Sequence, residues 1–156
     1  MPKTAGKKAT AADAEIVMRL YDLRRESELR KARQWYGMAD FSSWESVQKI
    51  MMAFGTQENA WFRQFLTYWE NAASLVLRGA VNQGLFFDWN GEIFFAYVKI
   101  KPYLKQIRET SGSDEFLSRT EKLLNSTPEL RKRIAFMEGM FKKWAERMKT
   151  QTAKAS

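Results

Sequence analysis

Cysteine and histidine are both absent from the 156-residue chain. Without them there is no disulfide, no thiolate nucleophile, no iron–sulfur cluster and no zinc finger. A Ser-His-Asp triad, a histidine general base and a Glu-x-x-His di-iron bundle are excluded as well. Proline and glycine are scarce, at three and eight residues, which favours long helices over many short strands. A long apolar run free of charge is also missing. The most apolar stretch, residues 60–81, contains Arg63, Gln64, Glu70, Asn71 and Arg78. Those groups are costly in lipid, so the stretch reads as a buried helix and not as a membrane span. The opening Met-Pro-Lys-Thr-Ala-Gly-Lys-Lys lacks the apolar segment of a secretory signal. With no cysteine, the expected setting is reducing and cytoplasmic.

What is present is ample core material. Six tryptophans, five tyrosines and eleven phenylalanines suit one domain that folds without a disulfide or metal staple. Net charge is +8, and its location matters more than its size. Residues 1–12 hold Lys3, Lys7 and Lys8 with no acid, and residues 129–156 hold eight basic against three acidic groups. The segment between them is neutral. Basic ends of this kind attract phosphate polymers and anionic surfaces without reading sequence, and they also aid solubility.

Periodicity predicts an all-α, single-domain bundle of five or six helices. Residues 1–11 and 150–156 read as disordered tails around a helical domain at 12–149. The spacing predicts a first helix over residues 12–36, with Ile16, Leu20 and Leu23 on one face. Ser42 or Ser43 then caps a short helix facing inward through Trp44, Val47, Met51 and Phe54. Thr56 caps a third helix over 57–80, with Asn59 where a capping box wants Glu or Gln. Trp61, Phe65, Trp69, Ala72 and Val76 form one stripe of it, and Phe62, Leu66, Ala73, Leu77 and Ala80 a second. A helix apolar on two faces is normally the central one. Asn90-Gly91 permits a hairpin turn, but the helical spacing of Ile93, Tyr97, Ile100, Leu104 and Ile107 favours a loop that feeds a helix. Pro102 falls inside that stripe and predicts a kink or break. A short helix over 114–125 follows. Thr127-Pro128-Glu129 then starts the last helix, expected to end near Lys149. Its seam is Leu130, Ile134, Met137, Phe141, Trp144 and Met148, flanked by Arg131, Lys132, Arg133, Lys142, Lys143 and Arg147.

Four groups of residues have chemical possibilities. Glu70, followed by Asn71, interrupts the most apolar helix. A carboxylate there needs a partner such as Arg63, Arg78 or a lysine from another helix, or else stands as a perturbed acid. Asp88 and Glu92 are four apart beside Trp89, but hard cations want six or more oxygens and no acidic loop supplies them, so no metal is expected. The aromatics Phe86, Phe87, Trp89, Phe94, Phe95 and Tyr97 read as core before they read as a ligand pocket. The seam of the last helix (Met137, Phe141, Trp144, Met148) with its basic flanks reads as core, as a face for a second copy or partner helix, or as a surface for anionic membrane or nucleic acid.

Tyr68-Trp69-Glu70, Gly79, Gly84-Leu85-Phe86 and Lys101-Pro102-Tyr103, within residues 60–110, resemble a family of small uncharacterised bacterial proteins. That family implies a domain of unknown function, and no catalytic residue carries over from it. The leading expectation is a helical binding or interaction protein without catalytic activity or cofactor, self-associating or docking a protein partner. A non-specific nucleic-acid binder using the basic ends is the first alternative. A small-ligand binder or enzyme using Glu70 and the aromatic cluster is the second.

Overall fold

Nine α-helices and a single 3-10 turn account for about four-fifths of residues 7–155, which the computed structural model describes. Of the tail expected over residues 1–11, residues 1–6 lie outside the described residues, while Thr10 caps the first helix and Ala11 begins it. No strand occurs among the described residues, so the all-α class holds, with more helices than the expected five or six. The helices are α1 (Ala11–Arg24), α2 (Ser27–Met38), α3 (Trp44–Met52), α4 (Gln57–Leu77), α5 (Gln83–Trp89), α6 (Glu92–Ile100), α7 (Leu104–Ser111), α8 (Ser118–Leu124) and α9 (Pro128–Ala155).

The extra helices come from breaks that hydrophobic spacing does not reveal. The predicted first helix divides at Arg25-Glu26. Glu26 turns to φ −55°, ψ 142°, and its carboxylate accepts from the backbone N–H groups of Glu28 and Leu29, which caps α2. Glu26, four residues before Arg30, is therefore a helix start. The break also changes the face of α1, which buries Val17 and Leu20 and leaves Leu23 exposed. Asn90-Gly91 makes no hairpin. It joins α5 to α6, and α5 starts on the side chain of Asn82, which accepts from the N–H of Leu85. Pro102 breaks its helix as its missing N–H demands. The 3-10 turn Lys101–Tyr103 separates α6 from α7. The helix expected over 114–125 begins only at Ser118, because Leu117 takes the left-handed conformation at φ 53°.

The serine and threonine caps lie where the sequence places them. Ser43 accepts from Ser46 N–H and starts α3, and Thr56 accepts from Asn59 N–H and starts α4. The Asn59 amide turns the other way, donating to the carbonyls of Ile50 and Met51 at the end of α3. It thus closes one helix while sitting in the first turn of the next. Phe54, expected on the inner face of α3, lies beyond its end and is exposed.

Helix α4 is the centre. It buries Phe62, Phe65, Leu66, Trp69, Ala72, Ala73 and Val76, and packs against α2, α3, α6 and α8. Ala32 of α2 and Ala72 and Ala73 of α4 are fully buried, small side chains that let helices approach closely. Tyr36 fills the space beside them, its ring 4.5 Å from that of Phe65 and its hydroxyl donating to Ala96 O at 2.8 Å. Helix α9 lies against α6 and α8, and its buried and half-buried residues fall between Leu130 and Phe141. It continues to Ala155, past its expected end at Lys149, and every described side chain from Lys142 onward is exposed.

Candidate functional site

The sequence-predicted candidates separate in space. Glu70 sits on α4 with 14% of its side chain exposed. Its partner is neither Arg63, which donates to Asn59, nor Arg78, but the start of α8. One carboxylate oxygen accepts from the backbone N–H of Arg119 at 2.9 Å and from the Arg119 guanidinium at 3.4 Å. The other accepts from the N–H and hydroxyl of Thr120 at 2.9 and 2.8 Å. Leu117, at the N-cap of α8, has no side-chain oxygen to offer, so a residue of α4 caps α8 from outside. Asn71, next to it, is exposed.

Asp88 is exposed at the end of α5. Glu92 turns away from it to bind Arg33 of α2, whose Nε meets both carboxylate oxygens at 3.0 and 2.9 Å. Among the described residues no three acids gather into a metal site. Phe86, Phe87, Phe94 and Tyr97 are buried core, while Phe95 stacks on Phe141. Trp89 is 45% exposed and meets the edge of Tyr21, and its carbonyl accepts from Arg24 at 3.4 Å. Phe86, Phe87 and Phe94 thus pack on one another, while Trp89 and Phe95 meet rings outside the cluster.

The last helix divides its candidates between body and solvent. Leu130 and Ile134 are buried, Met137 and Phe141 half-buried, and Trp144 and Met148 exposed at 39% and 64%. Arg133 stands over the ring of Phe94 at 4.2 Å, and Arg131 donates to the carbonyl of Asn125. Both cations are anchored to the body. Lys132, Lys142 and Lys143 are exposed.

One residue escaped the sequence reading. Lys99 is the sole charge in the run from Ile93 to Ile100, and that interruption of an apolar helix was its signal. Its ammonium donates to the carbonyls of Tyr36 and Gly37 at 2.6 and 3.1 Å, near the end of α2. It also faces the rings of Tyr36 and Phe41 at 5.4 and 4.9 Å. Burial pushes its pKa down to about 8, partly offset by Asp40. Lys99 borders a groove of about 520 Å³ between α6 and α9, lined also by Phe41, Val98, Pro102, Glu138, Phe141 and Lys142.

The shift has a consequence for stability. Between pH 8 and 10.5 the unfolded chain holds the Lys99 proton and the folded chain has released it, so stability rises with pH across that window. Tyr68 and Tyr97 are pushed up to about 12 by burial, and Tyr36 also lies well above its ordinary value. These phenols act oppositely above pH 10. The urea midpoint of the wild type should therefore gain on that of Lys99→Met between pH 7.5 and 9.5. A constant gap would mean that Lys99 titrates alike in both states.

Fold and site together define an all-α domain, centred on an aromatic helix, that carries a long basic helix at its end. The chain belongs to the family of the domain of unknown function DUF4760, which residues 9–127 match. That span exceeds the resembling region at residues 60–110 and ends just before α9. Comparison with curated proteins and with solved structures gave no match. No helix among the described residues is long and apolar enough to cross a membrane.

Proposed function

We propose that this protein is a non-enzymatic binding module whose docking element is the second half of α9. The observation that carries this reading is the exposure of residues 142–154 while they continue the seam of α9. At about 1.5 Å per residue this half-helix extends roughly 20 Å. Trp144 and Met148 lie one turn apart on the line of Met137 and Phe141, and the ring of Phe141 meets Trp144 at 5.3 Å. The seam therefore runs continuously from the body to the exposed half. Lys143, Arg147 and Lys154 are spaced along one flank and Lys142 and Lys149 along the other, with Glu146 the only acid.

The partner that fits is an acidic amphipathic helix. Its apolar stripe would cover Trp144 and Met148, and its carboxylates would meet the two basic flanks. Docking α9 on the α9 of a second copy sets like charges together, which opposes self-association through this face. A phosphate polymer would use the lysines and leave the apolar seam idle, so the seam favours a protein.

The test uses fluorescence anisotropy with three probes: a synthetic Leu/Glu amphipathic helix, a short DNA duplex and anionic vesicles. The peptide should bind, weaken with salt, and lose at least tenfold in affinity to the double variant Trp144→Glu/Met148→Glu. Both side chains are exposed, so the melting temperature should hold within about 2 °C. Binding to DNA alone, unchanged by the double variant, would replace this reading with electrostatic nucleic-acid binding.

A further inference from the structure

The groove between α6 and α9 has a composition that selects a ligand. Its walls are apolar side chains from three places: Phe41 after α2, Val98 and Pro102 around the end of α6, and Phe141 of α9. Its volume of about 520 Å³ lies inside the usual range of small-molecule sites, about 300–1,000 Å³. Three charged side chains border it: Lys99, Lys142 and Glu138. Glu138 is already bonded to Lys101. Neither Lys99 nor Lys142 has a carboxylate within ion-pair distance among the described residues.

The other titratable neighbours do not neutralise this pair. Asp40 interacts with Lys99 electrostatically, but its oxygens accept from the N–H of Ser42 and the hydroxyl of Ser46. The phenols of Tyr36 and Tyr103 donate to the carbonyls of Ala96 and Phe41. An ammonium has three N–H donors, and the carbonyls of Tyr36 and Gly37 take two from Lys99. One remains.

We propose that this groove binds an apolar carboxylate, an aliphatic or aromatic acid whose tail covers Phe41, Val98, Pro102 and Phe141 and whose carboxylate bridges Lys99 and Lys142. Such a ligand keeps both carbonyl bonds of Lys99 and supplies the missing negative charge. A carbonyl compound condensing with the amine would leave its nitrogen at most one N–H and so break at least one of those bonds. A ligand cation would meet two ammonium groups. Glu138, Phe141 and Lys142 lie on α9, outside the residues matched by the family, so the site belongs to the whole chain. It shares Phe141 and Lys142 with the docking half of α9 but uses neither Trp144 nor Met148.

The experiment is calorimetric titration of the full chain with octanoate and with 1-octanol, which has the same length and no charge. Octanoate should bind at least tenfold more tightly than octanol. Lys142→Ala, a surface change with no folding risk, should weaken octanoate about threefold to tenfold and leave octanol unaffected. In the wild type, the Lys99 side-chain NMR signal should titrate at higher pH when octanoate is saturating, because the bound carboxylate holds the proton. The idea fails if octanoate binds no better than octanol, if Lys142→Ala leaves its affinity unchanged, or if the Lys99 titration stays where it is in the free protein.

Discussion

Glu70→Ala is expected to lower the unfolding free energy by about 3 kcal/mol, because it strips the acceptor from four donors at the start of α8. The backbone N–H groups of Arg119 and Thr120 and the Thr120 hydroxyl all point at this carboxylate. Thr120 is 1% exposed, so water replaces the lost acceptor poorly there. The loss corresponds to a fall of about 6–12 °C in melting temperature for a chain of this size. It should be local before it is global. Leu117 holds its left-handed backbone between two fasteners, Glu70 on the far side and Arg108 on the near side. Arg108 donates to Phe116 O at 3.0 and 2.9 Å. Removing one fastener releases a conformation that a non-glycine residue adopts at a cost. Amide exchange should therefore speed up in α8 and the turn before it, ahead of α1 and α2. Glu70→Gln is the sharper variant. Both oxygens accept from two donors each, so an amide satisfies one side and sets an N–H against N–H or O–H donors on the other. It should cost nearly as much as alanine. A Gln variant within 0.5 kcal/mol of wild type would refute the capping role, since a mere space-filling group would tolerate that exchange.

The sequence showed Glu70 as an anomaly without showing its partner. An acid inside an apolar stripe is visible from the spacing, but Arg119 and Thr120 lie about fifty residues away on a helix of only seven residues. Sequence position supplies no such pairing. The same limit explains the breaks. Glu26 reads equally well as an i,i+4 partner of Arg30 and as the cap of α2, and only the packing of α1 across α5 decides between them. Local signals fared better: Ser43, Thr56 and Pro128 start their helices where their chemistry places them, and Pro102 breaks one. The seam of α9 is uniform in sequence yet divides into a buried and a bare half. Its periodicity records which residues share a face and not how far the neighbouring helices extend beneath it. Lys99 is legible as an interruption, but one lysine in an apolar helix also fits an edge residue.

Trp69→Ala is expected to be the most damaging single change in the molecule, at about 4 kcal/mol. The ring is 0% exposed at the middle of α4 and meets the ring of Tyr68 edge-on at 4.9 Å. The guanidinium of Arg24, itself 8% exposed, stands 5.7 Å from its centroid. Alanine would leave a cavity in the central helix and take away the aromatic face beneath a buried cation. Phenylalanine should cost only about 1 kcal/mol. It leaves a smaller void, and it removes an indole N–H that finds no acceptor among the described residues, a group that is itself unfavourable to bury. Urea unfolding of the two variants checks the contrast, and equal losses would show that the indole nitrogen is hydrogen-bonded in solution. The flanking residues give this position its meaning. Tyr68 donates to Leu20 O of α1 at 2.7 Å, Trp69 fills the core under Arg24, and Glu70 caps α8. Three successive residues, each turned about 100° from the last, fasten the central helix to α1 and to α8. The Tyr-Trp-Glu run in the resembling segment thereby has a structural explanation that needs no chemistry at Glu70.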